Sequence, residues 1–205
     1  MALWSAFFPD LLPATPGCPD PLLEKETRTA AIEFLRRTRA WVEWLDPATT
    51  LDGLVTYDFE LPTGADVSRV ERATLDGNGI EILSYRDAPH DWTLKELTDQ
   101  GVITRDRKTF SLGTPVAAGR TIQVQVALIP SRASTGLPDD LFERYSNEIA
   151  AGALARLLLT SNTAFYKPDL AAVKKAEFDS AIASFAVDAW RGHAAHTPRA
   201  RPKFC

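Results

Sequence analysis

Cysteine, histidine and methionine are scarce in this chain, and each shortage narrows what it can be. The two cysteines, Cys18 and Cys205, sit at opposite ends, so the sequence carries no disulfide framework and fits a reducing compartment. The three histidines do not form a metal-ligand pattern: His90 is alone, and His193 and His196 have no third ligand near them. No apolar run approaches the roughly 20 residues that cross a bilayer. There is no Gly-x-Gly-x-x-Gly, phosphate-binding loop, His-Glu-x-x-His, Cys-x-x-Cys or Gly-x-Ser-x-Gly, so the common signatures of nucleotide, zinc, redox and serine-hydrolase chemistry are missing.

What is present is an ordinary globular composition, 45% hydrophobic and 24% charged over 205 residues. A chain of this length buries about 70% of its unfolded surface without disulfides or metal. The opening MALWSAFFPDLLPATPG is apolar, lacks a basic start and is broken by Pro9 and Pro13. It reads as an ordered arm or cap rather than a targeting signal. Its Trp4, Phe7, Phe8, Leu11 and Leu12 need covering, by this chain's own core or by a neighbour's surface.

The period of the apolar residues divides the rest. Three stretches repeat at three to four residues, the spacing of an amphipathic helix. The first is Leu22 to Leu45, stopped by Asp46-Pro47. The second is LPDDLFERYSNEIAAGALARLLL from Leu137, with Leu141, Tyr145, Ile149, Gly152, Ala153 and Leu157 on one side. The third is PDLAAVKKAEFDSAIASFAVDAW from Pro168, with Ala171, Phe178, Ile182 and Phe185 on one side and Gly192 placed to cap its end. Acids lead each helix, as the helix dipole favours. The small residues from Ile149 to Ala155 allow close helix approach, either inside one bundle or against another subunit.

Between Thr49 and Pro130 the period falls to two. Val55, Tyr57, Phe59 and Leu61 alternate, Val67 to Leu75 forms a second strand, and Asp76-Gly-Asn-Gly79 is a hairpin signal leading into Ile80–Leu83. Phe110–Leu112 is a short strand, and Ile122, Val124, Val126 and Leu128 mark the strongest one. A run of strands between helices implies an α+β protein. The expected architecture is a three-helix bundle with an inserted small antiparallel β domain and extended N- and C-terminal arms. Its divisions are an arm at 1–21, a bundle from 22–48 and 131–192, a β domain at 49–130 and a basic arm at 193–205.

Candidate chemistry is sparse. His90 lies among Asp87 and Asp91 near Trp92, an arrangement suited to a general base in a hydrolase or to a solvated turn. Tyr85 and Trp92 offer a platform on which the β domain binds sugar or peptide. The last fifteen residues carry Arg191, Arg199, Arg201 and Lys203 with no acid, which leaves −8 on the rest of the chain. Three readings of this tail stand: a solubilising end, a phosphate contact, or an extended peptide anchored by Phe204 in a partner's groove.

The order of these pieces resembles the head–tail adaptor (connector) proteins of tailed bacteriophages. The matching features begin with the first helix ending in WVEWL and the strand Tyr57-Asp-Phe-Glu-Leu-Pro62 that opens the β insertion. The strand Ile122–Ile129 running into Pro130, the Leu-Pro-Asp-Asp-Leu start and the Ile-Ala-Ala-Gly-Ala-Leu-Ala-Arg-Leu-Leu segment follow. The Phe165-Tyr-Lys-Pro-Asp link and a helix ending near Trp190-Arg-Gly before an arginine-bearing tail complete the series. The resemblance implies a structural virion protein rather than an enzyme, with no cofactor and no metal. It implies self-association into a ring, usually of twelve copies, made in the host cytoplasm and held at the head–tail interface. The partners it implies are the portal protein on one side and tail or nozzle proteins on the other. DNA passes through the channel without sequence-specific binding, and no membrane is involved. The portal contact falls to Arg199, Arg201, Lys203 and Phe204.

Overall fold

The computed structural model describes residues 1–83, 101–104, 106–113 and 115–191, the last four by their backbone. The chain divides into two compact units, 1–40 with 137 onward, and 41–136.

The helical unit starts with strand β1 (Ala2–Leu3), a 3-10 turn (Trp4–Phe7) and the short helix α1 (Phe8–Leu11). Helix α2 follows (Asp20–Thr38), then, after the β unit, α3 (Asp139–Leu157) and α4 (Pro168–Arg191). Trp4, Phe7 and Leu11 are buried, with Phe7 edge-on to Phe142 of α3 at 4.9 Å and Arg28 of α2 over the Trp4 ring. Trp4, Phe7 and Leu11 are thus covered by the chain's own helices, whereas Phe8 is half-buried and Leu12 stays exposed. At the centre, Phe34 of α2 meets Tyr145 of α3 at 5.2 Å, Phe178 of α4 at 6.2 Å and Phe185 at 6.1 Å.

The small-residue stretch of α3 belongs to this same core. A Cβ on Gly152 would lie 2.6 Å from the Phe178 ring, so the missing side chain is what lets α4 approach. Ile149 to Ala155 are buried throughout within the single chain. Close packing inside the chain therefore accounts for the small residues.

The β unit holds an eight-stranded sheet. Its strands are β2 (Val42–Trp44), β3 (Ala48–Thr49), β4 (Thr56–Asp58), β5 (Ala65–Leu75), β6 (Asn78–Ile82), β7 (Gly101–Ile103), β8 (Thr109–Leu112) and β9 (Thr121–Pro130). The order is β2-β9-β5-β6-β7-β8-β4, with β3 continuing β2 along the same side of β9. Val67, Val70, Ala73 and Leu75 of β5 face Leu128, Val126, Val124 and Ile122 of β9 in a buried layer; β9 alternates there, while in β5 two register shifts, between Val67 and Arg69 and between Val70 and Arg72, keep residues three apart on one face. Asp76 and Gly77, both at positive φ, make the tight β5–β6 turn, and β6 pairs in parallel with β7. A second, two-stranded sheet joins β1 to β10 (Gly136–Leu137).

This corrects the expected three-helix bundle with a small antiparallel insert. Among the described residues there are four α-helices and two sheets, and the larger sheet is neither small nor wholly antiparallel. The first helix ends at Thr38 rather than Leu45, because Arg39 takes a left-handed conformation (φ 55°) that terminates it. Trp41-Val-Glu-Trp-Leu45 then favours a strand, being aromatic and β-branched, and pairs with β9. The supposed N-terminal arm is not extended, because its aromatics gain more by burial on α2 and α3 than by solvation. The C-terminal arm lies outside the described residues.

Candidate functional site

Among the described residues, the strands at the two ends of the large sheet, β2 and β4, carry exposed side chains that another molecule can meet. At one edge, the Leu128 N–H donates to the Trp41 carbonyl at 2.8 Å and the Leu45 N–H to the Val124 carbonyl at 2.9 Å. Main-chain groups of successive strand residues alternate in direction, so Trp41, Glu43 and Leu45 address β9 and Val42 and Trp44 address the open side. Trp41 Nε1 donates to Glu43 Oε1 at 2.7 Å, which fixes both side chains on the sheet's inner face. Val42 and Trp44 point the other way and are 40% and 42% exposed. Asp46-Pro47 interrupts the edge before β3. Buried Thr50 then clamps its end, donating to the Ala117 carbonyl at 2.7 Å and accepting from the Arg120 N–H at 3.0 Å.

The register extends this outer face inward. Val42 lies opposite Ala127 and then Arg69; Trp44 lies opposite Gln125 and then Arg72. Both arginines are exposed, and neither has an ion-pair partner among the described residues. Trp44 and Arg72 share this face across Gln125, and tryptophan and arginine are the side chains that most often anchor protein interfaces; Ala127, between Val42 and Arg69, is fully buried.

At the opposite edge, Tyr57 and Phe59 turn inward onto Phe110, with centroids 5.6 and 5.2 Å away. The Tyr57 hydroxyl donates to the Leu54 carbonyl at 3.0 Å and accepts from the Leu51 N–H at 3.3 Å, which pins the approach to β4. Leu54, Thr56, Asp58 and Glu60 are left facing outward.

Elsewhere the ionisable groups serve the fold. Cys18 is buried, and desolvation followed by the nearby Asp20 pushes its thiol up, away from the reactive thiolate. Asp76 is held low first by the Thr121 N–H and then by Arg120. The N–H groups of Lys108 and Thr109 hold Asp106 low. Lys175, then Arg37, hold Asp179 low. Burial raises Tyr145. Among the described residues no three His, Cys, Asp or Glu side chains gather as a metal site, and no helix is long and apolar enough to cross a membrane.

Arg199, Arg201, Lys203 and Phe204 lie outside the described residues, as do His193 and His196 and the whole of Tyr85, Asp87, His90, Asp91 and Trp92. No protein-family model matches the sequence, and no curated protein matches it significantly. The edge residues Val42 and Trp44 were hidden in sequence by the helical reading of WVEWL. The signal available was the aromatic and β-branched cluster immediately before Asp46-Pro47.

Proposed function

We propose that the chain is a structural virion protein, a head–tail adaptor that joins the portal to the tail in a ring of about twelve copies around the DNA channel. The copy number is that of the family it resembles. The observation that carries this reading is the way the chain is divided. It leaves the helical unit after Ala40, builds a separately cored β unit, and returns at Leu137 to the same helical core. The order of helix, β unit and two helices is the order on which the resemblance rests, although WVEWL is a strand and not the end of the first helix. Such a scaffold presents stable outer surfaces, which suits joining.

The charge distribution supports the same role. A body at −8 repels DNA, so a duplex slides past without adhering. The basic tail, through Arg199, Arg201, Lys203 and Phe204, is the portal contact in this proposal, and tail or nozzle proteins meet the opposite face. The protein then resides in the virion. The test is deletion of residues 198–205. The expected result is an unchanged melting temperature and loss of attachment to the portal-bearing particle. Normal attachment of the truncated chain overturns the tail's role.

A further inference from the structure

The tip of the β5–β6 hairpin holds two residue pairs open to the same cyclisation, Asp76-Gly77 and Asn78-Gly79. In each, the glycine main-chain nitrogen can reach the side-chain carbonyl carbon of the residue before it, with no Cβ in the way. The fold treats the two pairs differently.

Asp76 is engaged. Its Oδ1 accepts from the Thr121 N–H at 2.8 Å and its Oδ2 from Arg120 Nε at 2.6 Å. A carboxylate held by both oxygens stays ionised and is a poor electrophile.

Asn78 is not engaged. It is exposed, and its side-chain amide makes no hydrogen bond among the described residues. The Asp76 N–H donates to the Thr121 carbonyl of β9 at 2.8 Å. Leu75 therefore addresses β6, where Asn78 is its partner in register. Gly79, the next residue, turns its N–H away from β5. On that other side the register with β7 begins at Glu81. A Cβ on Gly79 would meet nothing within 4 Å, so its nitrogen lies in open space. Asn78 is also the last paired residue before the turn. Opening that one pair frees its backbone to rotate as ring closure requires, and the end of a hairpin opens most readily.

We propose that Asn78 is a site of spontaneous deamidation, converted to aspartate and isoaspartate in the folded protein while Asp76 is spared. The Gly79 nitrogen attacks Cγ of Asn78. The side-chain nitrogen leaves as ammonia, taking the glycine's proton, and a succinimide ring forms. Water then opens the ring at either carbonyl. Hydrolysis at the side-chain carbonyl gives aspartate, and hydrolysis at the main-chain carbonyl gives isoaspartate. No oxidant or reductant is needed. Either product adds a negative charge at the hairpin tip. Isoaspartate also lengthens the main chain where Asn78 pairs with Leu75, which disrupts the register there. The inference is independent of the adaptor reading.

The test incubates the full-length chain at mildly alkaline pH and follows it by peptide mapping with mass spectrometry, with isoaspartate detected by enzymatic methylation. The other two asparagines serve as internal comparisons, because Asn147 precedes Glu148 within α3 and Asn162 precedes Thr163. The expected result is that Asn78 converts first, at a rate close to that of the same chain unfolded in guanidinium. Asn78→Gln should lose the conversion, since its longer side chain closes a less favourable ring. Asn78 that stays intact in the folded chain while converting in the unfolded one shows that the hairpin protects it, and overturns the proposal. So does conversion no faster than at Asn147 and Asn162. Isoaspartate forming equally at position 76 overturns the protection assigned to Asp76.

Discussion

A methyl group at position 152 has no space to occupy. Its Cβ would stand 2.6 Å from a Phe178 ring that is itself buried among α2, α3 and α4. Gly152→Ala should cost about 1–3 kcal/mol by overpacking, more than the better helix propensity of alanine returns. Thermal denaturation checks this, and adding Phe178→Leu should recover part of the loss. The run of small residues was legible in the sequence, but its partner was not. The same run suits a subunit contact equally well, and only the position of Phe178 decides. A second residue-scale expectation concerns acid. Asp76 is held below its ordinary 3.8 by the Thr121 N–H and Arg120. A carboxylate lowered by folding contributes stability that is complete above the unfolded value and is lost as pH falls through the folded one. Asp76→Asn should therefore flatten the fall in melting temperature below about pH 4. An acid limb identical to wild type would show that this carboxylate does not contribute.

Among the elements, the three long helices are joined by more than their apolar stripes. Arg156 of α3 pairs with Glu33 of α2, Glu33 with Arg37, Arg37 with Asp179 of α4 at 3.0 Å, and Asp179 with Lys175. Glu33 is the junction, so Glu33→Ala breaks two links at once. The groups are partly exposed, which limits the expected cost to about 1 kcal/mol. The difference from wild type should shrink in about 1 M salt, and paired melts at low and high salt measure it. Elements with strong periodicity were readable: the Asp76–Gly77 turn, the long strand from Thr121, and the helices from Asp139 and Pro168. The first helix was overextended because its apolar spacing continues past Arg39. A left-handed arginine carries no sequence mark comparable to glycine. The two-residue β3 and three-residue β7 are too short to show any period. They are strands because β9 lies beside β3, and β6 and β8 lie on either side of β7.

At the scale of the whole molecule, the alternation of helical and strand periods was informative and sheet width was not. Long-range pairing such as β2 with β9 joins residues more than 80 positions apart, and nothing local announces it. The same pairing determines which strands remain at the edges, and so which residues are candidates for contact. The tail and the Asp87–Asp91 loop, prominent in sequence, lie outside the described residues. The adaptor role itself is tested most directly by cross-linking mass spectrometry on the native particle that contains the chain, with copy number by quantitation. The account predicts multiple equivalent copies, about twelve by family resemblance, cross-linked to one another and, through Lys203, to a portal-type protein. A single copy with no large partner would contradict it.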